Sequence, residues 1–560
     1  MTDLAFPPGA ILILAGLILP LLSDRMRRML ILLAPLLTLL AVWSLPDGVA
    51  LSVSYLGMDL EPVKADALSR MFGTVFAIMA FGGGLYALNQ KNVMELAAAM
   101  VYAGSAIGVV FAGDLITVFI FWEVMAITST MIVWSGGAFA RNAGLRYAVI
   151  HFLGGVILMA GIAGEIATTG SVQFNAMEIN SLARWMILAG FVINTGAPPL
   201  QAWLSDAYPK ASWSGMVFLS AFTTKTAVYT LIRGFPGAEI LIWLGLFMIF
   251  YGIIYAILEN DMRRILAYSI VNQVGFMIFA VGIGTELALN GAAAHAFVHI
   301  IYKALLLMSA GSVLYMTGKR KCTDLGGLFR TMPISCICGI IGALSISAFP
   351  ATSGFVAKSL ISSAAAKETL PIIWFALAAA SAGVFLHAGI KFPWFVFFHK
   401  DSGLRPDDPP WNMRVAMILF SILCVGLGLW WEPLYAMLPF TTDYKPYTPG
   451  SVVFQLQLLL FSGLAFFLLL GALKRTLTIT LDVDWFWRRA GRLFAQEFEG
   501  QWLRAYGALG ARGYAAVRRI IEGLYRTHGP EGALARTRPS GYMALWMTVL
   551  LSAFLLLSFL

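Results

Sequence analysis

Residues 239–258 read Glu239-Ile-Leu-Ile-Trp-Leu-Gly-Leu-Phe-Met-Ile-Phe-Tyr-Gly-Ile-Ile-Tyr-Ala-Ile-Leu258, and Asp261-Met262-Arg263-Arg264 follows. Beyond Glu239 the run carries no charge and no proline. About 20 such residues, at ~1.5 Å each along a helix, match the ~30 Å hydrocarbon core of a bilayer. A helix also lets a segment satisfy its own amides where no water reaches. An acid at one end and an arginine pair at the other suggest a direction, because basic loops stay on the cytoplasmic side.

Working outward, the same template fits sixteen segments. They lie near 8–22, 29–45, 66–88, 93–112, 114–136, 145–168, 183–201, 211–233, 239–258, 265–285, 289–317, 332–366, 371–397, 411–435, 452–473 and 542–560. Composition agrees. Of 560 residues, 59% are hydrophobic and 12% charged, about half the ~25% charge of a soluble domain. A soluble enzyme, a disordered chain and a collagen-like fibre are excluded. The predicted fold class is all-α, a polytopic membrane protein of about 16 transmembrane helices. A net charge of +9 fits loops facing anionic lipid rather than nucleic acid. Cys322, Cys336, Cys338 and Cys424 show neither metal-site spacing nor a disulfide framework. No basic stretch precedes the first apolar run, so no cleavable signal is expected.

Alternate loops fix the orientation. Arg25, Arg27 and Arg28, then Lys91, Arg141, Lys210, Arg263 with Arg264, Lys319 to Lys321 with Arg330, and Lys400 with Arg405 and Arg414 fall in every second loop. The intervening loops hold Asp47, Asp59, Glu61, Glu178, Glu239 and Glu286. Basic loops inside place both termini outside, in the cell (inner) membrane. One missed span would invert every later loop, so the alternation also checks the count.

Residues 474–541 are too polar to cross. Phe494, Phe498, Trp502, Tyr506, Leu509, Val517, Ile520, Ile521 and Leu524 recur at three- or four-residue steps among Arg488, Arg489, Arg492, Arg504, Arg512, Arg518, Arg519 and Arg526. The pattern is a basic amphipathic helix along the cytoplasmic face, weakened or broken by Gly500, Gly507, Gly510 and Gly513. An ordinary surface helix and a strut against a neighbouring subunit both fit.

Spans four to eight match spans nine to thirteen at an offset of roughly 150 residues. Trp122-Glu123-Val124 aligns with Asn272-Gln273-Val274, His151 with His299, and Pro199 with Pro350. Five spans per copy turn the second copy upside down, the inverted repeat that transporters use to build ion sites at mid-membrane. The organisation expected is helices over 1–92, five-helix units over 93–233 and 239–397, further helices over 411–473, the amphipathic connector over 474–541 and a last helix over 542–560. Each unit carries one break: Asn194-Thr195-Gly196-Ala197-Pro198-Pro199 in the first and Phe349-Pro350-Ala351-Thr352-Ser353-Gly354 in the second. Proline removes a donor and glycine permits the bend. A packing kink explains either break alone. Two at corresponding positions favour hydrated cavities, since unwound backbone at membrane depth needs protein or water beside it.

A mid-membrane charge costs ~2.5–3.5 kcal/mol on insertion scales, so each needs a reason. Glu123 falls in span five and Lys225 in span eight. His295, His299 and Lys303 lie four residues apart in span eleven, on one helical face. Lys358 follows the second break, His387 lies in span thirteen with Lys391 near its end, and Glu165 closes span six. Glu, His and Lys exchange protons once burial brings their pKa values toward neutrality, so a water-linked row of them is a proton relay. The bland alternative for each is a structural ion pair or a hydrogen-bonded histidine, and it weighs most for Glu165 and His387. No P-loop, metal cluster or nucleophilic triad competes. No metal or cofactor is expected, and the chain reads as a transporter subunit rather than an enzyme.

These motifs resemble the antiporter-like membrane subunits of Mrp-type multisubunit cation/proton antiporters and of respiratory complex I. The resemblance covers nearly the whole chain and is densest over 110–370. It is carried by Phe121-Trp122-Glu123, by Pro198-Pro199-Leu200-Gln201-Ala202-Trp203-Leu204-Ser205-Asp206-Ala207, and by Asp261-Met262-Arg263-Arg264-Ile265-Leu266-Ala267-Tyr268-Ser269. His299 with Lys303-Ala304-Leu305 and Ser353-Gly354-Phe355-Val356-Ala357-Lys358 continue the series. Thr224-Lys225-Thr226-Ala227-Val228-Tyr229 is most similar to the D-type member of the Mrp set. The resemblance implies that Glu123 is the family's span-five glutamate, Lys225 its span-eight base, His299 and Lys303 the central pair, and Lys358 the group of the outer half-channel. It also implies a lysine where this chain has Asn194, which leaves Glu123 without that cation. Arg263 stands where many relatives have lysine, and the connector with its final span is similar to the lateral helix of complex I's distal antiporter-like member.

The function implied is a proton-conducting subunit of a multisubunit monovalent cation (Na+)/proton antiporter, with other membrane subunits, protons, sodium and lipid as partners and no nucleic acid. Three alternatives stand beside it. One is a pumping module of a complex I-like NADH:quinone oxidoreductase or membrane hydrogenase, where this chain would carry translocation only. The others are a membrane component of an inorganic-carbon uptake system and a scaffold that has lost transport.

Overall fold

The computed structural model describes residues 6–368, 371–473, 476 and 481–559. Residues 1–5, the start of the expected connector at 474–475 and 477–480, Leu560 and the Arg492 side chain lie outside the described residues. The chain forms two compact units, Met1–Val483 and Asp484–Leu560.

The first unit opens with α1 (Pro8–Ile18) and α2 (Asp24–Ser44). An antiparallel hairpin follows, β1 (Gly48–Tyr55) with β2 (Met58–Ala65). The chain is otherwise mostly helical, as the all-α polytopic reading expects, and the hairpin is an addition to it. Val49, Leu51, Val53 and Tyr55 alternate at the strand period, and the two-residue turn has positive φ at both Leu56 (51°) and Gly57 (77°), the geometry that matches strand twist. α3 (Ala67–Tyr86) starts at a capping box between Asp66 and Ser69.

The central region holds α4 (Val93–Phe111), α5 (Leu115–Trp134), α6 (Arg141–Thr169), α7 (Leu182–Thr195), α8 (Ala202–Ala207), α9 (Gly215–Leu219) and α10 (Thr223–Gly234). Next come α11 (Ile240–Leu258), α12 (Met262–Ile283), α13 (Glu286–Thr317), α14 (Pro333–Ile346), α15 (Ser353–Lys367) and α16 (Pro371–Val384). The quoted stretch is α11. It packs on α12 through glycines: a Cβ on Gly245 would lie 2.7 Å from Gly275 O, and one on Gly252 2.6 Å from Tyr268 O. Small residues let membrane helices approach to backbone contact, where dispersion is strongest. α12, α13 and the span made of α9 and α10 are the most enclosed of the candidate spans, so polar groups on them must find partners inside the protein. α17 (Trp411–Leu429), α18 (Glu432–Ala436) and α19 (Pro449–Leu468) complete the unit.

Thirteen helices among the described residues are long and apolar enough to span a bilayer. Three shorter apolar helices, Pro8–Leu21, Leu182–Thr195 and Pro333–Ile346, fall on three further predicted segments. The latter two are short because the breaks cut them. α7 stops at Gly196, whose φ of 79° is left-handed, and Pro198-Pro199 is a cis pair. α14 ends ahead of Pro350, with Ala348 and Ala351 at φ 57° and 69°, a region L-residues seldom enter. A Cβ on Gly354 would strike Ser345 O, so only glycine lets α15 begin against the end of α14.

Two interruptions were not foreseen. Span eight is split between α9 and α10 at Ser220-Ala221-Phe222, without proline or glycine. Span thirteen loosens into π-helical turns at Phe385–Lys391 and Trp394–Phe398.

The second unit consists of α20 (Asp484–His528) and α21 (Ser540–Ser558). α20 runs unbroken for 45 residues, so of the two effects expected of its glycines, weakening or breakage, breakage does not occur. Nothing lies within 4 Å of a Cβ built at Gly507, Gly510 or Gly513, so these positions cost propensity but impose no kink. Phe494, Phe498 and Trp502 stack in a row at 6.0 and 6.3 Å, exposed along one stripe.

Candidate functional site

α13 presents His295, His299 and Lys303 on one face, all fully buried. His295 Nε2 lies 3.1 Å from Gln273 Oε1 of α12 and 2.9 Å from the Tyr302 hydroxyl. Tyr302 itself donates to Gln273 Oε1 at 3.1 Å. The rings of His295 and His299 are 6.2 Å apart. Neither nitrogen of His299, nor Lys303 Nζ, has a hydrogen-bond partner among the described residues. Buried polar groups are normally paired, so these three nitrogens set this face of α13 apart from an ordinary hydrogen-bonded interior.

The split in span eight and the break in span twelve supply the neighbours. Lys225 follows the split between α9 and α10, and its ammonium donates to the freed carbonyl of Ser220 at 2.6 Å and to Thr224 Oγ1 at 3.1 Å. Lys358 follows the break between α14 and α15 and donates to Ile346 O at 2.8 Å. Each lysine thus sits where interrupted helix leaves a carbonyl without its amide. Lys358 Nζ also stands 5.0 Å over the Phe276 ring, a cation–π distance. His299 lies within electrostatic range of Lys225, Lys303, His295 and Lys358. Five predicted residues from three helices therefore converge. His387, on the π-helical turn, donates from Nδ1 to Gly383 O at 2.9 Å and leaves Nε2 unpaired among the described residues.

Lys358 borders a polar cavity of about 340 Å³. Ser359, Ser362, Ser363, Ser381 and Gln455 line it, and Tyr444, Lys445 and Thr448 stand toward the loop before α19. The serines at three- and four-residue spacing on α15 were a signal in the sequence; that they face a cavity was not.

Glu123 stays apart from this cluster. Its carboxylate packs against Gly155 of α6, where a Cβ would overlap Oε1. Among the described residues Oε1 has no hydrogen-bond partner and no cation pairs with it. Lys225 does not reach it. Asn194, at the end of α7, is buried with Oδ1 unpaired among the described residues. Glu123 also lines a groove of about 350 Å³ between α5 and α6, with Phe119, Phe152 and Val156.

Two ionisable residues have structural partners. Glu165 accepts from the Arg184 guanidinium through both oxygens, Oε1 at 2.8 Å and Oε2 at 3.0 Å. Lys391 donates to the last carbonyls of α11, at Ala256 (3.2 Å), Ile257 and Glu259 (2.6 Å). Arg263 bridges the two halves on the basic side, donating to Pro209 O, Ala211 O and Ser212 O at 3.1, 2.8 and 2.7 Å. Asp482, absent from the sequence reading, accepts from the hydroxyls of Tyr251 and Tyr268 at 2.6 Å each.

Residues 112–384 match the model of the family described as NADH:quinone oxidoreductase/Mrp antiporter, TM. The match takes in 273 of the 560 residues, just under half of the chain. The matched region spans both breaks and every residue of the converging cluster. Over 422 residues the chain is 29% identical to the D-type Na(+)/H(+) antiporter component of Alkalihalophilus pseudofirmus, covering 70% of this chain and 83% of that one. In fold it is similar to a chain of the Mrp complex from a Dietzia species, with a TM-score of 0.68 and 20% identity over 82% of this chain and 97% of that one. It is similar also to a chain of the membrane-bound sulfane sulfur reductase, an archaeal respiratory membrane complex, with a TM-score of 0.71 and 24% identity over 98% and 99%. The protein is a multi-pass membrane protein whose central region matches the antiporter-like family and whose fold is that of the two membrane complexes' chains.

Proposed function

We propose that this protein is the proton-conducting subunit of a multisubunit monovalent cation/proton antiporter, exchanging protons for sodium. One observation carries the reading: Lys358 joins a polar cavity on one side to the buried His and Lys cluster on the other. A proton entering that cavity meets the Lys358 amine, then the His295–Gln273–Tyr302 network, then His299, Lys303 and Lys225. Orphaned nitrogens along the row serve as acceptors and donors between water molecules. The alternation of basic and acidic loops supports a reading with this cavity on the outer face, both termini outside and the chain in the cell membrane.

We read the channel as two inverted five-helix units, 93–233 and 239–397. Asp114 and Asp261 cap α5 and α12 in the same way, and each forms an isolated bridge to the segment after the following long helix, at Gln173 and Lys321. Each unit then continues with a broken helix and an interrupted fifth span.

A second reading, a proton-translocating module of a respiratory complex, draws support from the fold match that covers 98% of the chain. Purifying the native complex and identifying its subunits separates the two. In inside-out vesicles, sodium should dissipate an imposed pH gradient, and Lys358→Ala should abolish this while the complex stays assembled. Wild-type exchange in Lys358→Ala would remove Lys358 from the path.

A further inference from the structure

We propose that His151 is a proton-carrying residue of the first half, linking Glu123 to Lys225 through the buried hydroxyls of Tyr147, Tyr208 and Tyr102. This rests on the proton-conduction reading above. His151 lies on α6, is 1% exposed, and neither ring nitrogen has a hydrogen-bond partner among the described residues. An imidazole always has at least one donor and needs a partner for each nitrogen. Leaving such groups unmade in a protein interior costs about 1–3 kcal/mol each. Three neighbours share the condition: Glu123 Oε1, Asn194 Oδ1 and the Tyr208 hydroxyl are also buried and unpaired.

The arrangement is a path. Glu123 rests on Gly155, one helical turn from His151 on the same face of α6. The Asn194 side chain stands within interaction range of the imidazole. One turn the other way, the Tyr147 ring lies 4.0 Å from the His151 ring, and its hydroxyl donates to Ser129 Oγ at 2.9 Å. The Tyr208 hydroxyl stands among those of Tyr102, Tyr147 and Thr223. Tyr102 and Thr223 are joined at 2.5 Å, and Lys225 is two residues beyond Thr223.

The chemistry needs no net bond change. The imidazole takes a proton on one nitrogen and gives up the proton on the other. Each hydroxyl accepts on a lone pair and releases its own hydrogen to the next oxygen. No electron moves and no co-reactant is consumed. The competing role is packing, because His151 also sits 4.6 Å from the Trp203 ring. Phenylalanine would serve that role equally well, and an added lysine would not restore it.

The test measures proton flux in inside-out vesicles holding the native complex, with assembly followed on native gels. His151→Phe should assemble and lose about tenfold or more of its flux, at or below the 10²–10⁴ range typical of a positioned acid–base group. Adding Asn194→Lys, which places a titratable amine beside the imidazole position, should restore flux to within about threefold of wild type, a small part of that range. His151→Gln, which hydrogen-bonds but does not titrate, replaces His151→Phe if the latter fails to assemble. Wild-type flux in His151→Phe or His151→Gln, or a loss that Asn194→Lys does not relieve, overturns the proposal. Lys358→Ala runs in parallel: if it conducts like wild type, the conduction reading fails rather than the role of His151.

Discussion

Gly155→Ala tests whether the Glu123 carboxylate must seat against α6. The added methyl would occupy the position of Oε1, so the carboxylate has to rotate toward the groove lined by Phe119, Phe152 and Val156. Overpacking by one methyl costs about 1–3 kcal/mol. That leaves a large membrane core folded, yet shifts a local side-chain equilibrium by about 5–150-fold. Gly154→Ala is the matched control: its Cβ would meet a movable Ile193 methyl at 3.3 Å, and no polar group. The assay is labelling of Glu123 by an apolar carbodiimide in native membranes, read by peptide mass spectrometry, alongside proton flux. Gly155→Ala should raise the labelling rate several-fold and depress flux, with assembly intact. Gly154→Ala should change neither. Unchanged labelling and flux in Gly155→Ala would show that the glycine seat does not position Glu123, and the reasoning would be wrong.

Arg263→Lys keeps the charge but loses two of three carbonyl contacts; at ~1.5–3 kcal/mol each it should destabilise the fold by up to about 3–6 kcal/mol, seen as a lower thermal midpoint of the purified complex. Burial pushes the Asp66 carboxyl up, but Arg233 and the Ser69 amide outweigh it and hold it below the ordinary carboxylate range. The stability it adds is therefore present above about pH 4 and lost as pH falls through the lowered value, so Asp66→Asn should flatten the acid limb of a thermal-melt series. Deleting 484–560 should impair complex assembly more than insertion of the preceding helices. Deleting 476–560 also removes Asp482 from Tyr251 and Tyr268, and should in addition lower the melting midpoint of the remaining helices; equal midpoints for the two deletions would deny Asp482 that role.

What the sequence determined by itself is what depends on local spacing and on transfer to the bilayer. Apolar length located α11 and its fellows, because crossing hydrocarbon requires ~20 apolar residues whatever surrounds them. Proline and glycine located both principal breaks, because their backbone limits are intrinsic. The four-residue steps of His295, His299 and Lys303 located one face of a helix. The tertiary structure alone decided which neighbours each group meets. It split span eight at Ser220 and opened π-helical turns near His387, where no residue type announces an interruption. It gave Glu165 and Lys391 to structural partners, held Glu123 away from Lys225, and gathered Lys225 and Lys358 around α13. A buried charge is governed by what stands within a few ångströms of it, and the chain sets those distances only when its helices pack.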